Sequence, residues 1–134
     1  MEWLAGNKIT AERLNDHTPV TLATTPTPGT GFSLSSFNAR KTNGVVEWGA
    51  VFIYGGSTLT ATSDGNIIGD PVVCTLPTDC RPGSQTVVGF DKSGVASGSI
   101  RISTNGDCQI TSLDPTATIA SGATINFSGA FVTG

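Results

Sequence analysis

At 134 residues the chain has room for one ordinary domain with a real core, and too little length for two comfortable ones. Seven basic against ten acidic residues, a net charge of -3, give it neither the basic footprint of a nucleic-acid binder nor that of an anionic-membrane binder. Charged residues make up only 13%, about half the usual share, so wide neutral areas must face outward, either as hydroxyl-rich strand faces or as subunit contacts.

The first nineteen residues obey different rules from the rest. Thr10 is a good helix N-cap, Ala11 to Leu14 are acceptable helix residues, and Ile9 and Leu14 stand at the two positions of a hydrophobic staple. Glu12 lies in the first turn, where the helix dipole favours a carboxylate, and the run Asn15 to Pro19 ends the helix. So short a helix has no core of its own and needs a surface. Trp3, Leu4, Ile9 and Leu14 are its apolar anchors, and two seats are open to them: a partner molecule, or the bottom of their own β domain. No basic region followed by an apolar stretch marks a secretory leader, and no run is long and apolar enough to span a bilayer, so folding in the cytosol that made the chain is expected.

Residues 20–31 read as an extended lead-in, because Pro26 and Pro28 oppose helix and central strand alike. Two-residue alternation then sets in. Phe32 and Leu34 open a strand, Asn43-Gly44 signals a tight hairpin, and VVEWGAVFIY carries the chain back. Gly55-Gly56 breaks it before the shorter strand STLTAT, and Asp64-Gly65 turns the chain toward VVCTL and the proline-rich corner LPTDCRPG. QTVVGF and VASGSIRIS flank the turn Lys92-Ser93-Gly94, Asn105-Gly106 is a second hairpin signal before CQITSL, and ATINFSGAFVT is a last β segment with a kink expected at Gly129. About eight strands with a turn signal every eight to twelve residues imply an antiparallel β-sandwich or jelly roll. No crossover helix is available for an α/β sheet.

In that frame Phe52, Val87, Phe90, Ile100, Ile102, Ile110, Ile125, Phe127 and Phe131 are core or interface residues. Trp48, inside an apolar strand, is a core residue needing a partner for its indole N–H, or else a stacking platform for carbohydrate. Cys74, Cys80 and Cys108 make no even disulfide framework; reduced, partly buried thiols are the first reading, and a small loop-closing bridge from Cys74 to Cys80 is the second.

The search for chemistry gives no catalytic set, no metal site and no cofactor site. His17 is the only histidine, and it sits in the linker behind the helix, a poor position for a triad or a metal centre. Asp64, Asp70, Asp79, Asp91, Asp107 and Asp114 each lie at a turn or strand end, where aspartate is a common turn former. SDGNIIGD lacks the ligand spacing and closing glutamate of a calcium-binding hand. Asn126-Phe127-Ser128 matches a glycosylation acceptor in form only.

The pattern W-L-A-G-N-K-I-T-A-E-R-L-N, from Trp3 to Asn15, resembles the opening of small virion proteins of bacteriophages and prophages, especially those of actinobacteria. The order GNIIGDPVVCTLPTDCRPG, VVGFD, GSIRISTNGDCQI and INFSGAFVT resembles the C-terminal β-sandwich heads of phage fibres. In such heads an L-P-x-x-[FY]-R-P corner followed by hairpins recurs; Leu76, Pro77, Arg81 and Pro82 match it, with Cys80 in the usual aromatic place. The resemblance implies a homotrimer residing in the virion, made in the host bacterial cytoplasm and attached to other virion proteins of capsid or tail. The residues themselves divide the chain into three parts: an anchoring peptide over 1–19, the lead-in over 20–31, and the head over 32–134. No heptad, collagen-like or β-helical repeat separates anchor from head, so no long shaft is expected. A capsid decoration or head fibre fits slightly better than a tail or baseplate tip, whose outward loops around Asp64, Asp79 and Asp91 would touch host-surface glycan. A cell-wall hydrolase, the enzymatic alternative, would need an acid pair that no residues nominate.

Overall fold

The computed structural model describes residues 19–132. The anchor residues Trp3, Leu4, Ile9 and Leu14 and the helix expected around them lie outside that range. Among the described residues the chain is all-β. Its strands are β1 (Val20–Leu22), β2 (Thr27–Pro28), β3 (Phe32–Thr42), β4 (Val45–Tyr54), β5 (Leu59–Thr60), β6 (Val72–Thr75), β7 (Thr86–Lys92), β8 (Ala96–Ile102), β9 (Asp107–Leu113), β10 (Thr118–Ile119) and β11 (Thr124–Val132), with a 3-10 turn at Thr78–Cys80. Nine of these described strands form one antiparallel sheet in the order β1-β3-β4-β11-β7-β8-β9-β6-β2, and β5 pairs with β10 beside it.

Chain length alone forces this sheet to curl. β1 and β2 occupy its opposite edges. In a flat sheet, eight strand spacings would hold those edges roughly 38 Å apart. The linker 23–26 is far too short for that, since its five Cα steps from Leu22 to Thr27 reach at most about 18 Å. The sheet therefore bends into a half-barrel consistent with a β-sandwich, and its concave side holds the core. The segment expected as a lead-in supplies both edges.

Local sequence explains the hairpins. Asn43 and Gly44 both adopt positive φ, 51° and 75°, as a tight β3–β4 turn of the primed type requires, and Ser93 and Gly94 do the same between β7 and β8. At the β8–β9 turn only Gly106 is left-handed, so Asn105-Gly106 ends a wider loop.

Directly opposed residues in an antiparallel ladder share a face, and one concave row runs Phe37, Ala50, Phe127, Phe90, Gly98, Leu113 across six strands. Large and small side chains alternate along much of it, which lets the curled layers interlock. Gly98 is the tightest point: a Cβ there would lie 2.1 Å from the Ser112 carbonyl oxygen and 2.7 Å from the Phe90 ring. Phe52, Phe90, Ile100, Ile102, Ile110, Ile125 and Phe127 are buried, and Phe131 is half-buried against them. Val87 is different. Its partner is Arg101 on the convex side, and it stands 59% exposed, one residue out of phase with the core positions of β7.

Trp48 belongs to the core and is no stacking platform, being 4% exposed. Its ring packs edge-on to Phe127 at 5.4 Å and lies 6.0 Å from both Phe37 and Phe131. Gly129 makes room for it: a Cβ there would approach Trp48 to 2.9 Å and Phe131 to 2.5 Å. The kink expected at Gly129 is not present, because the β4–β11 register passes through it unbroken; its smallness serves packing. The indole Nε1 is buried with no hydrogen-bond partner among the described residues. An unpaired buried donor costs about 1–3 kcal/mol. Trp48→Phe removes that cost together with some apolar area, so urea denaturation should place the variant within about 1 kcal/mol of the parent. A loss above about 3 kcal/mol would mean that the N–H is satisfied.

Candidate functional site: the convex face and its grooves

The side chains that point away from the core form a surface of unusual composition. On β4 the alternation puts Val46, Trp48, Ala50, Phe52 and Tyr54 inside and leaves Val45, Glu47, Gly49, Val51 and Ile53 on the convex side. The strand is thus apolar on both faces, a pattern found where both faces are covered. Across the ladder this side continues as Thr124, Asn126, Ser128, Ala130 and Val132 on β11 and as Ser33, Ser36, Asn38 and Thr42 on β3. Val45 is 41%, Ile53 39% and Val132 73% exposed, and Val45 and Val132 are register partners. On β3, β4 and β11 the charge of this side is confined to Arg40 and Glu47, paired at 3.3 Å with both side chains 61% exposed, a contact worth little in stability.

Two grooves mark the surface, the first on this face and the second at the opposite edge of the sheet. The first, about 600 Å³, lies over the β1–β3–β4 end and is lined by Thr21, Asn38 and the Arg40–Glu47 pair, with Trp48 beneath. The second, about 550 Å³, lies at the proline-rich corner among Thr24, Thr25, Thr75, Thr78, Asp79 and Arg81. The corner is well built. Leu76 is fully buried, the 3-10 turn closes by a Cys80 N–H bond to the Pro77 carbonyl, and Arg81 Nε donates to the Leu76 carbonyl at 2.9 Å. Thr24 donates to Asp79 at 3.0 Å, tying the β1–β2 linker to the corner. Burial, with the Asp79 carboxylate beside it, pushes the Cys80 thiol up to about 11, so this buried cysteine behaves as an inert apolar group.

The other aspartates hold turns. Asp91 accepts from the Gly94 N–H at 2.8 Å, Asp114 from Ser97 N–H at 3.1 Å, and Asp107 from the Thr75 hydroxyl at 2.8 Å. Asp64 accepts from the Thr62 hydroxyl, and that bond lowers its pKa below the ordinary carboxylate value. Asp70 pairs with Arg101 at 3.5 Å. Of the three outward loops, that of Asp64 packs along the end of β9 through Gly65 and Leu113, that of Asp79 forms the corner, and Asp91 caps the β7–β8 turn. Among the described residues no group of three or more histidine, cysteine or acidic side chains could hold a metal ion. No helix among them is long and apolar enough to cross a membrane.

Low charge pointed to subunit contacts in general, but simple alternation does not say which outer face is apolar. The signal was present in VVEWGAVFIY, where both parities are apolar. No family model matches the chain, and no curated protein matches it.

Proposed function

We propose that the chain is a non-enzymatic accessory structural protein of a phage particle, a short-mounted homotrimeric knob whose subunits meet through the convex side of β3, β4 and β11. The observation that carries the reading is the two-faced apolarity of β4, continued by Ala130 and Val132. A second copy is the occupant of this face. Across the three strands β3, β4 and β11 the convex side covers roughly 400 Å², enough for the centre of an interface to which each partner normally gives about 800 Å². Its hydroxyls and small apolar groups also suit packing against a copy, with the mutually paired Arg40 and Glu47 as the charge that such a contact must accommodate. The anchor pattern from Trp3 to Asn15 supports attachment to other virion proteins, with capsid decoration or a head fibre preferred over the tail.

Sedimentation equilibrium tests the association. The expected mass is three times the 13.7 kDa of the chain. Introducing Ile53→Glu with Val132→Glu should give a folded monomer with an unchanged far-ultraviolet spectrum, since both side chains are exposed in the single chain. A parent protein that stays monomeric at all accessible concentrations sinks the reading.

The corner groove favours a second reading, a tail or baseplate tip that binds host-surface glycan. Asp79, Arg81 and the surrounding threonine hydroxyls are the polar groups from which such a contact would be made. Binding of the purified protein to host cells, lost on Asp79→Ala with Arg81→Ala, would favour this reading over decoration.

A further inference from the structure

Two of the three cysteines meet across the sheet. Cys74 on β6 and Cys108 on β9 are directly opposed in the ladder and both are fully buried, with the Cys108 thiol donating to the Gly106 carbonyl at 3.5 Å. Opposed Cα atoms in an antiparallel pair lie about 4.5–5.5 Å apart, inside the roughly 4.4–6.8 Å that a disulfide spans. Cys80, the partner that sequence spacing offers, points elsewhere: its Sγ lies 3.8 Å from Asp79 Oδ1, and all three cysteines are free. The position in the sheet matters as much as the distance. β6 has four residues and is covered outside only by the two-residue β2, whose Pro28 opposes Cys74 and has no N–H to give. The β6–β9 register also shifts between Val72 and Cys74. Such an edge opens more readily than the middle of the sheet.

We propose that Cys74 and Cys108 form a covalent cross-linking site, at which a low-molecular-weight disulfide such as oxidised glutathione makes an intramolecular disulfide that staples β6 to β9. One thiolate attacks the reagent, forming a mixed disulfide and releasing one glutathione thiolate. The second protein thiolate attacks the protein sulfur of that mixed disulfide, forming the Cys74–Cys108 bond and releasing the second glutathione. Two protons leave the cysteines, and their two electrons reduce the reagent to two thiols. The Cys108 thiol beside it and burial hold the Cys74 thiol well above its usual range, so little thiolate exists near neutral pH. The reaction is accordingly slow there, and its rate rises about tenfold per pH unit. The inference rests on the fold alone and is independent of the proposed function.

The test uses the full chain, reduced, freed of reductant, treated with oxidised glutathione, then quenched in acid and alkylated. The expected product has lost the mass of two hydrogens, yields a linked peptide pair carrying Cys74 and Cys108, and is alkylated only at Cys80. Its melting temperature rises by roughly 5–15 °C and returns with dithiothreitol. The Cys80→Ala variant should behave identically, and if it does not fold, the peptide map of the parent decides. A bridge that includes Cys80 overturns the proposal. So does a native chain that keeps three alkylatable thiols at raised pH while the urea-unfolded chain oxidises.

Discussion

Phe52→Ala should cost about 3–5 kcal/mol, a large share of the roughly 5–15 kcal/mol that holds a domain of this size together. Phe52 has no exposed surface, sits on the central strand β4, and stacks on Phe127 with ring centroids 6.2 Å apart. Its ladder neighbours are Leu34 and Ile125, both part of the same core. The strands around it are bonded on both sides, so the backbone cannot collapse into the space that the ring leaves, and the cavity term adds to the lost transfer energy. Phe52→Leu, which keeps most of the volume, should cost less than half as much. Val87→Ala, on the convex side, should change stability by less than about 0.5 kcal/mol in the monomer. Urea midpoints for the three variants check the order. Equal losses at Phe52 and Val87 would mean that the inside and outside of β7 and β4 are wrongly assigned.

The contrast between those two residues shows what the sequence made legible. Strands were readable where alternation runs unbroken between turn residues, which is why VVEWGAVFIY coincides with β4 and the Asn43-Gly44 turn joins it to β3. Alternation fixes a parity within a strand but says little when both parities are apolar, as in QTVVGF, so Val87 was grouped with Phe90 although they face opposite ways. The curl of the sheet was hidden for another reason. It follows from β1 and β2 pairing with distant strands, β3 and β6, through only three and two register positions. Contacts that few and that remote leave no periodic trace in a proline-rich stretch. STLTAT shrank to the two residues of β5 because β10, its only partner, is equally short. The cysteines follow the same rule: Cys74 and Cys80 are neighbours in sequence, while register sets Cys74 opposite Cys108. The corner groove could be anticipated only in part, since LPTDCRPG names Asp79 and Arg81 but not Thr24, which reaches it from the far edge of the chain's path.

Deletion of residues 1–18 should leave a folded, self-associated head that is absent from assembled particles. β1 begins at Val20 and the buried cluster runs from Phe32 to Phe127, so the cut falls outside every described strand. Removed with the segment are Trp3, Leu4, Ile9 and Leu14, each worth about 1.5–3 kcal/mol if fully buried on a capsid or tail partner, before ordering costs. In the proposed trimer, three copies in one knob would raise the effective concentration of the second and third anchors once the first had docked, so that modest single contacts would become retention and their joint loss near-complete release. For the same reason one substitution in the segment would act three times per proposed trimer, and Leu14→Asp should already reduce occupancy severalfold. Quantitative mass spectrometry of purified particles reads occupancy, and circular dichroism with sedimentation reads fold and association. Normal occupancy of the truncated chain would remove the anchor from the account. If instead the truncated chain unfolds, the four apolar residues cover their own domain, and attachment must be sought on the convex face or at the corner.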